Sequence, residues 1–144
     1  MQDLTWIDIK EQRIPKWIDN MSRVSGRSFV KSFLVINRDH GPIVHACWFL
    51  PYERGSTDHK IRSYPHNRPF DMQITHWCIP SRDPDDWNAI KTLERYPGTT
   101  FLAIDTAGVI KHVYVNKNGH LGLVRGGTLK SKLVGWLNVP KFED

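Results

Sequence analysis

Two short patterns bring an imidazole and a thiol close together: His45-Ala46-Cys47 and His76-Trp77-Cys78. Residues two apart in a β-strand point to the same face, so each pattern presents one histidine and one cysteine together. If the two strands are neighbours, four ligands converge as a Cys2His2 zinc site. The spacing matches no common zinc module, and buried cysteines often pack as small hydrophobes, so packing is the competing reading. Two histidines could also act as acid and base on a phosphodiester, although a thiol is a poor holder of phosphate oxygens. Either cysteine could be a nucleophile beside its histidine, yet functional Cys-His pairs usually come from separate elements. Gly126-Gly127-Thr128, between Arg125 and Lys130, could form an anion-binding turn. It lacks the full spacing of a phosphate loop and reads better as a hairpin turn. No catalytic residue is assigned on these patterns.

Charge offers a second kind of chemistry. The 144 residues carry a formal net charge of +5, and its distribution matters more than its size. From Thr106 to Phe142 there is no Asp or Glu, while Lys111, Lys117, Arg125, Lys130, Lys132 and Lys141 are present. The other fourteen basic residues face all fifteen acids, so the remainder is close to neutral. A one-signed segment predicts a basic face, with Lys111, Lys117, Arg125, Lys130 and Lys132 as its contacts. The expected partner is a protein, with nucleic acid as the alternative; a solvated face without a ligand competes with both. Six tryptophans add aromatic surface: Trp6, Trp77, Trp87 and Trp136 read as packing anchors, Trp17 and Trp48 as core or as contacts for bases or a protein groove.

Composition narrows the setting. Forty per cent hydrophobic and 24% charged residues suit a soluble globular protein. The apolar runs Phe33 to Ile36 and Ile43 to Leu50 are too short to span a bilayer, so no membrane partner is expected. The opening M-Q-D-L-T-W lacks a signal peptide's basic and apolar regions, and two cysteines suit a reducing compartment. A cytoplasmic protein without a cofactor is expected, zinc being the one metal considered.

The elements that would position these residues occur twice. Phe29 to Asn37 reads as a strand, Arg38 to Pro42 as a turn and Ile43 to Leu50 as a second strand, forming a hairpin. Residues Lys16 to Lys31 read as a short helix or loop, Pro51 to Phe70 as an exposed insertion loop, and Asp71 to Ile79 as a third strand. Then W-N-A-I-K-T-L-E-R-Y-P from Trp87 echoes W-I-D-I-K-E-Q-R-I-P from Trp6, and F-L-A-I-D from Phe101 echoes F-L-V-I-N from Phe33. V-I-K-H-V-Y-V from Val109 echoes P-I-V-H-A-C-W from Pro42, placing His112 on His45 and Tyr114 on Cys47. G-W-L-N-V-P from Gly135 falls on H-W-C-I-P-S from His76. The preserved order predicts a tandem duplication, with a first unit over 4–84 and a second over 85–144.

A three-stranded unit cannot readily bury both faces alone. The expected fold is therefore α+β and mainly antiparallel, two similar units packed through a pseudo-two-fold into one compact domain. Helical turns are expected near Trp6 and Trp87. Trp87 to Glu94 is the better candidate, because Trp87, Ile90 and Leu93 share a helical face and Asp85 or Asp86 can cap it.

W-I-D-I-K-E-Q-R-I-P, F-L-V-I-N with its glycine turn, and I-T-H-W-C-I-P-S-R-D-P together resemble a phage- and prophage-associated domain of unknown function, the one numbered 551. That family opens on W-I-x-V-x-x-R-L-P and closes on T-H-W-M-P-L-P-x-P-P. The match covers about residues 6–84, and about 87–143 resembles a degenerate copy in which Gly135-Trp136 replaces the His-Trp pair. The family's usual Met stands where this chain has Cys78. The resemblance implies a phage or prophage protein acting in a bacterial cytoplasm. It implies no activity and no functional residues.

Overall fold

The computed structural model describes residues 3–14, 21–24, 27–30, 33–49, 61–63, 68–70, 72–81 and 83–143. The chain is mainly antiparallel β and divides into two compact units: Ile7–Ile79, and Pro80–Asp144 together with Met1–Trp6. Among the described residues no helix is long and apolar enough to cross a membrane.

The first unit contains β1 (Ile7–Asp8), β2 (Met21–Val24), β3 (Arg27–Val30), β4 (Phe33–Ile36), β5 (His45–Phe49), β6 (Ile61–Ser63), β7 (Arg68–Pro69) and β8 (His76–Cys78). Its main sheet runs β1-β8-β4-β5-β6-β7, and β2 pairs with β3 in a separate ribbon. β4 lies inside because F-L-V-I offers an apolar side chain to each face in turn, and all four are buried. Phe33 and Val35 join Cys47, Trp77 and Ile14 in one core cluster. The β4–β5 hairpin turns through a 3₁₀ turn at Arg38–His40, begun by Asn37, whose Oδ1 accepts the Asp39 N–H at 3.0 Å.

The second unit contains β9 (Asn88–Ala89), β10 (Thr100–Asp105), β11 (Ile110–Val115), β12 (Leu121–Leu123) and β13 (Leu133–Leu137), ordered β12-β11-β10-β13-β9. β10 is central, and Phe101 through Asp105 are all buried. Phe101, Ala103, Val113, Val115 and Leu133 form its core cluster, flanked by Ile90, Leu93 and Leu129. The β10–β11 turn is built by Asp105, whose Oδ1 accepts the N–H groups of Ala107 at 2.8 Å and Val109 at 3.0 Å. Trp6 belongs to this unit: its N–H donates to Lys141 O at 2.9 Å, and its ring stacks on Phe142.

Several expectations change. The Lys16 to Lys31 stretch carries the β2–β3 ribbon instead of a helix or loop, and β3 takes Phe29 and Val30 away from the strand expected over Phe29 to Asn37. The Pro51 to Phe70 insertion supplies β6 and β7, which extend the sheet beyond β5, while residues 50–60 lie outside the described ones. Trp6 is followed by β1 and then by a single turn, in which Asp8 O accepts the N–H groups of Glu11 at 3.1 Å and Gln12 at 3.0 Å. After Trp87 comes β9 and then a 3₁₀ turn at Ile90–Thr92 with no side-chain cap; Asp85 and Asp86 sit in a separate 3₁₀ turn at Pro84–Asp86. These strands are too short for periodicity to reveal, and their identity comes from the partner they pair with.

Pairing also corrects one sequence correspondence. His45 stands opposite Val35, whereas His112 stands opposite Leu102, which the F-L-x-I match places on Leu34. The strand-pair equivalent of Cys47 is therefore Val113, opposite Phe101, and not Tyr114. A one-residue difference in register reverses the face of a side chain, so His45 and His112 are not counterparts.

Candidate functional site

The convergence of His45, Cys47, His76 and Cys78 requires β5 and β8 to be neighbours. They are not, because β4 lies between them. Directly opposed residues share a face. His45 opposes Val35 and Cys47 opposes Phe33, placing that pair on the Phe33–Val35 face. His76 opposes Ile36 and Cys78 opposes Leu34, placing the second pair on the other face. The structure thus keeps each His-Cys pair together and separates the two pairs. Among the described residues no three His, Cys, Asp or Glu side chains group as metal ligands.

Each half of the quartet has a local role. Cys47 is fully buried in the Phe33 cluster, and the His45 ring meets Phe70 edge-on at 5.4 Å. Burial pushes the Cys78 thiol up to about 12, which keeps it protonated at neutral pH and ill suited to ligation or attack. His76 is tied to Thr75: its Nδ1 lies 2.9 Å from Thr75 Oγ1. That hydroxyl donates to Ile36 O at 3.2 Å and accepts the Arg38 N–H at 2.9 Å. The hydroxyl thus ties the His76 ring to the end of β4. Thr75 was legible in the T-H-W motif as a residue type, but its bracing role needs the fold.

The basic residues separate into two groups. β10 ends where β11 begins, and the 124–132 connection crosses the same end of the sheet between β12 and β13. This end carries Lys111, Arg125, Lys130 and Lys132, with the Thr106 N–H bound to Lys132 O at 3.1 Å. Lys111 is committed locally: its Nζ donates to Ser131 Oγ at 2.7 Å and lies 3.7 Å from Oδ2 of buried Asp105. Arg125, Lys130 and Lys132 are exposed there. Lys117 is exposed at the opposite end, in the β11–β12 turn built on Asn116 Oδ1. The five residues are therefore not one face, and three of them form an exposed basic end.

Gly126 and Gly127, both at positive φ, begin the crossing connection, and the Gly126 N–H is bound to Leu123 O at 2.9 Å. β12 and β13 are not neighbours, so this is not a hairpin turn. Trp77 and Trp87 are buried, their Nε1 groups donating to Gln12 O and Ser81 O at 2.8 Å each. Trp136 is partly buried and donates to Thr92 Oγ1 at 3.0 Å. Trp17 and the Trp48 side chain lie outside the described residues. No family model, curated protein or solved structure matches the chain.

Proposed function

We propose that this chain is a non-enzymatic accessory protein of phage or prophage origin that binds an acidic surface on a host or phage protein, as an inhibitor or adaptor in the bacterial cytoplasm. The observation that carries this reading is the exposed basic end, Arg125, Lys130 and Lys132, in a stretch from Thr106 to Phe142 that contains no acid. Asp105, which immediately precedes that stretch, is buried and held by Lys111 and by two backbone N–H groups. The three outer charges thus face solvent without an acidic partner on the segment itself. Such a patch raises the encounter rate with an acidic surface and suppresses basic ones.

We also propose that the two sheets descend from one unit by tandem duplication. Two pairing registers support this. Ile7 and Asp8 of β1 oppose Trp77 and His76, as Asn88 and Ala89 of β9 oppose Trp136 and Gly135. Leu34 opposes Cys78 as Leu102 opposes Leu137. Trp6 and Trp87 then hold the same place, each immediately before its edge strand.

Affinity capture from bacterial lysate, run with and without nuclease, tests the binding function. Discrete proteins that survive nuclease and bind less as salt rises support the proposal. Recovery that vanishes with nuclease replaces it with a nucleic-acid-binding reading, and empty capture in both arms refutes it.

A further inference from the structure

β12 ends the second sheet, and its hydrogen bonds show which of its backbone groups face outward. The Asn116 N–H donates to His120 O at 2.8 Å and the Val124 N–H to His112 O at 3.0 Å, each across the β11–β12 pairing. An antiparallel ladder alternates bonded pairs with open ones. Tyr114 and Gly122 therefore form the bonded pair between them, while Leu121 and Leu123 turn their N–H and C=O groups away from β11. Leu123 O accepts the Gly126 N–H at 2.9 Å. The Leu121 N–H, Leu121 O and the Leu123 N–H have no partner among the described residues.

The first sheet shows what such an edge accepts. Cys47 and Val113 hold equivalent places; Cys47 opposes Ser63 and Val113 opposes Leu123. Ile61–Ser63 of β6 is thus the counterpart of Leu121–Leu123, by pairing register and without any assumption about descent. Ile61 packs against the Phe33 cluster as Leu121 packs against the Phe101 cluster. β6, however, is not an edge. β7 pairs with it antiparallel, and Ile61 O accepts the Phe70 N–H at 3.4 Å. The second sheet stops one strand short, leaving on Leu121 the carbonyl that the β7 strand meets on Ile61. Sheets protect their edges with very short strands, proline or charge. β1 and β9 are two residues long and β7 carries Pro69, whereas β12 reads L-G-L and has none of these devices.

Charge selects the occupant. Arg125 lies two residues past Leu123, and β12 runs toward the end that carries Arg125, Lys130 and Lys132. A second copy's β12 brings no acid to that end, because the stretch from Thr106 to Phe142 contains none. A strand antiparallel to β12, as β7 is to β6, lays its N-terminal side toward these three charges.

Resting on the acidic protein partner proposed above, we infer that the β12 edge takes an extended segment of that partner as a sixth strand, antiparallel to β12. Acidic residues lead the segment and meet the basic end. Apolar residues follow opposite Leu123 and Leu121, and the main chain closes bonds to the three outward groups.

The test is amide hydrogen exchange in the ¹⁵N-labelled full chain. The probe is the capped peptide Glu-Glu-Glu-Val-Thr-Val-Thr at millimolar concentration. Two controls are the same peptide with lysine for glutamate, and the acidic peptide N-methylated at both valines. In the free chain the Leu121 and Leu123 amides should exchange fast and the Gly122 amide slowly. The acidic peptide should slow Leu121 and Leu123 about threefold or more, and neither control should. Slow exchange at both leucines in the free chain overturns the edge, as does protection that rises with protein concentration alone, which gives the edge to a second copy. No protection by the acidic peptide, or equal protection by either control, also overturns it. Peptide-induced shifts confined to Arg125, Lys130 and Lys132 overturn the edge while the basic end stands; the capture experiment judges that end separately.

Discussion

Gly135 is the position where packing makes the firmest demand. Alanine there would put a Cβ 2.7 Å from Trp87 Cβ, with Asn88 O and Ile104 Cγ2 each at 3.3 Å. Carbon atoms prefer separations of about 3.5–4.0 Å, so something must move by roughly 1 Å. Trp87 cannot yield by a rotamer change, because the atom in the way is its Cβ and its ring is held by the Nε1 bond to Ser81 O at 2.8 Å. Overpacking of this kind costs about 1–3 kcal/mol. Replacing a glycine that has no positive φ returns about 0.4–1 kcal/mol by stiffening the unfolded chain. The net expectation for Gly135→Ala is a loss of about 1–2 kcal/mol, or roughly 2–8 °C in melting temperature. Gly122→Ala is the control. Its Cβ would also meet carbon at 2.7 Å, but there the atom is Cε1 of Tyr114, a ring that is 39% exposed and able to swing away. That change should stay within about 0.5 kcal/mol. Urea and thermal denaturation of both variants decide the matter. Equal costs for the two glycines, or a Gly135→Ala protein as stable as wild type, would mean that Trp87 does not hold this position closed.

Asp105→Asn should cost under about 1 kcal/mol, since Asn37 makes the same turn bond, whereas Asp105→Ala strands two backbone N–H groups and should cost about 2–4 kcal/mol by urea titration. Neither cysteine should react with a thiol reagent in the native state at neutral pH, and both should react in denaturant. The raised Cys78 pKa favours the folded, protonated form below pH 9, so the stability advantage of wild type over Cys78→Ala should shrink as pH rises from 9 toward 12. Trp6→Ala removes a buried ring stacked on Phe142 and should cost about 3–5 kcal/mol, seen as loss of the native tryptophan fluorescence at lower urea.

Much of the sheet framework was legible because β4 and β10 are continuous apolar runs between turn residues, and because the Trp, F-L-x-I and x-W landmarks recur in order. The short strands β1, β9, β6 and β7 were not, since two or three residues carry no period and pairing alone makes them strands. Trp87, Ile90 and Leu93 fit one helical face by spacing; Ile90 and Leu93 do pack against the Phe101 cluster, through a single 3₁₀ turn, whereas Trp87 is buried outside that cluster, beside Gly135. The site was less legible than the fold. The His-Cys pairs share faces as alternation requires, yet whether β5 and β8 touch depends on strand order, which local sequence does not encode. The charge asymmetry was visible as a count, whereas its division between two ends of a sheet, with Lys111 held by Asp105, depends on topology.

The proposed binding surface is one end of one sheet, and charge reversal separates that end from the other. The triple variant Arg125→Glu, Lys130→Glu, Lys132→Glu should lose about 100-fold or more in affinity for the partner recovered by capture, while Lys117→Glu at the opposite end should bind within a few-fold of wild type. Equal binding by the triple variant and wild type, or equal loss in both variants, would contradict the account.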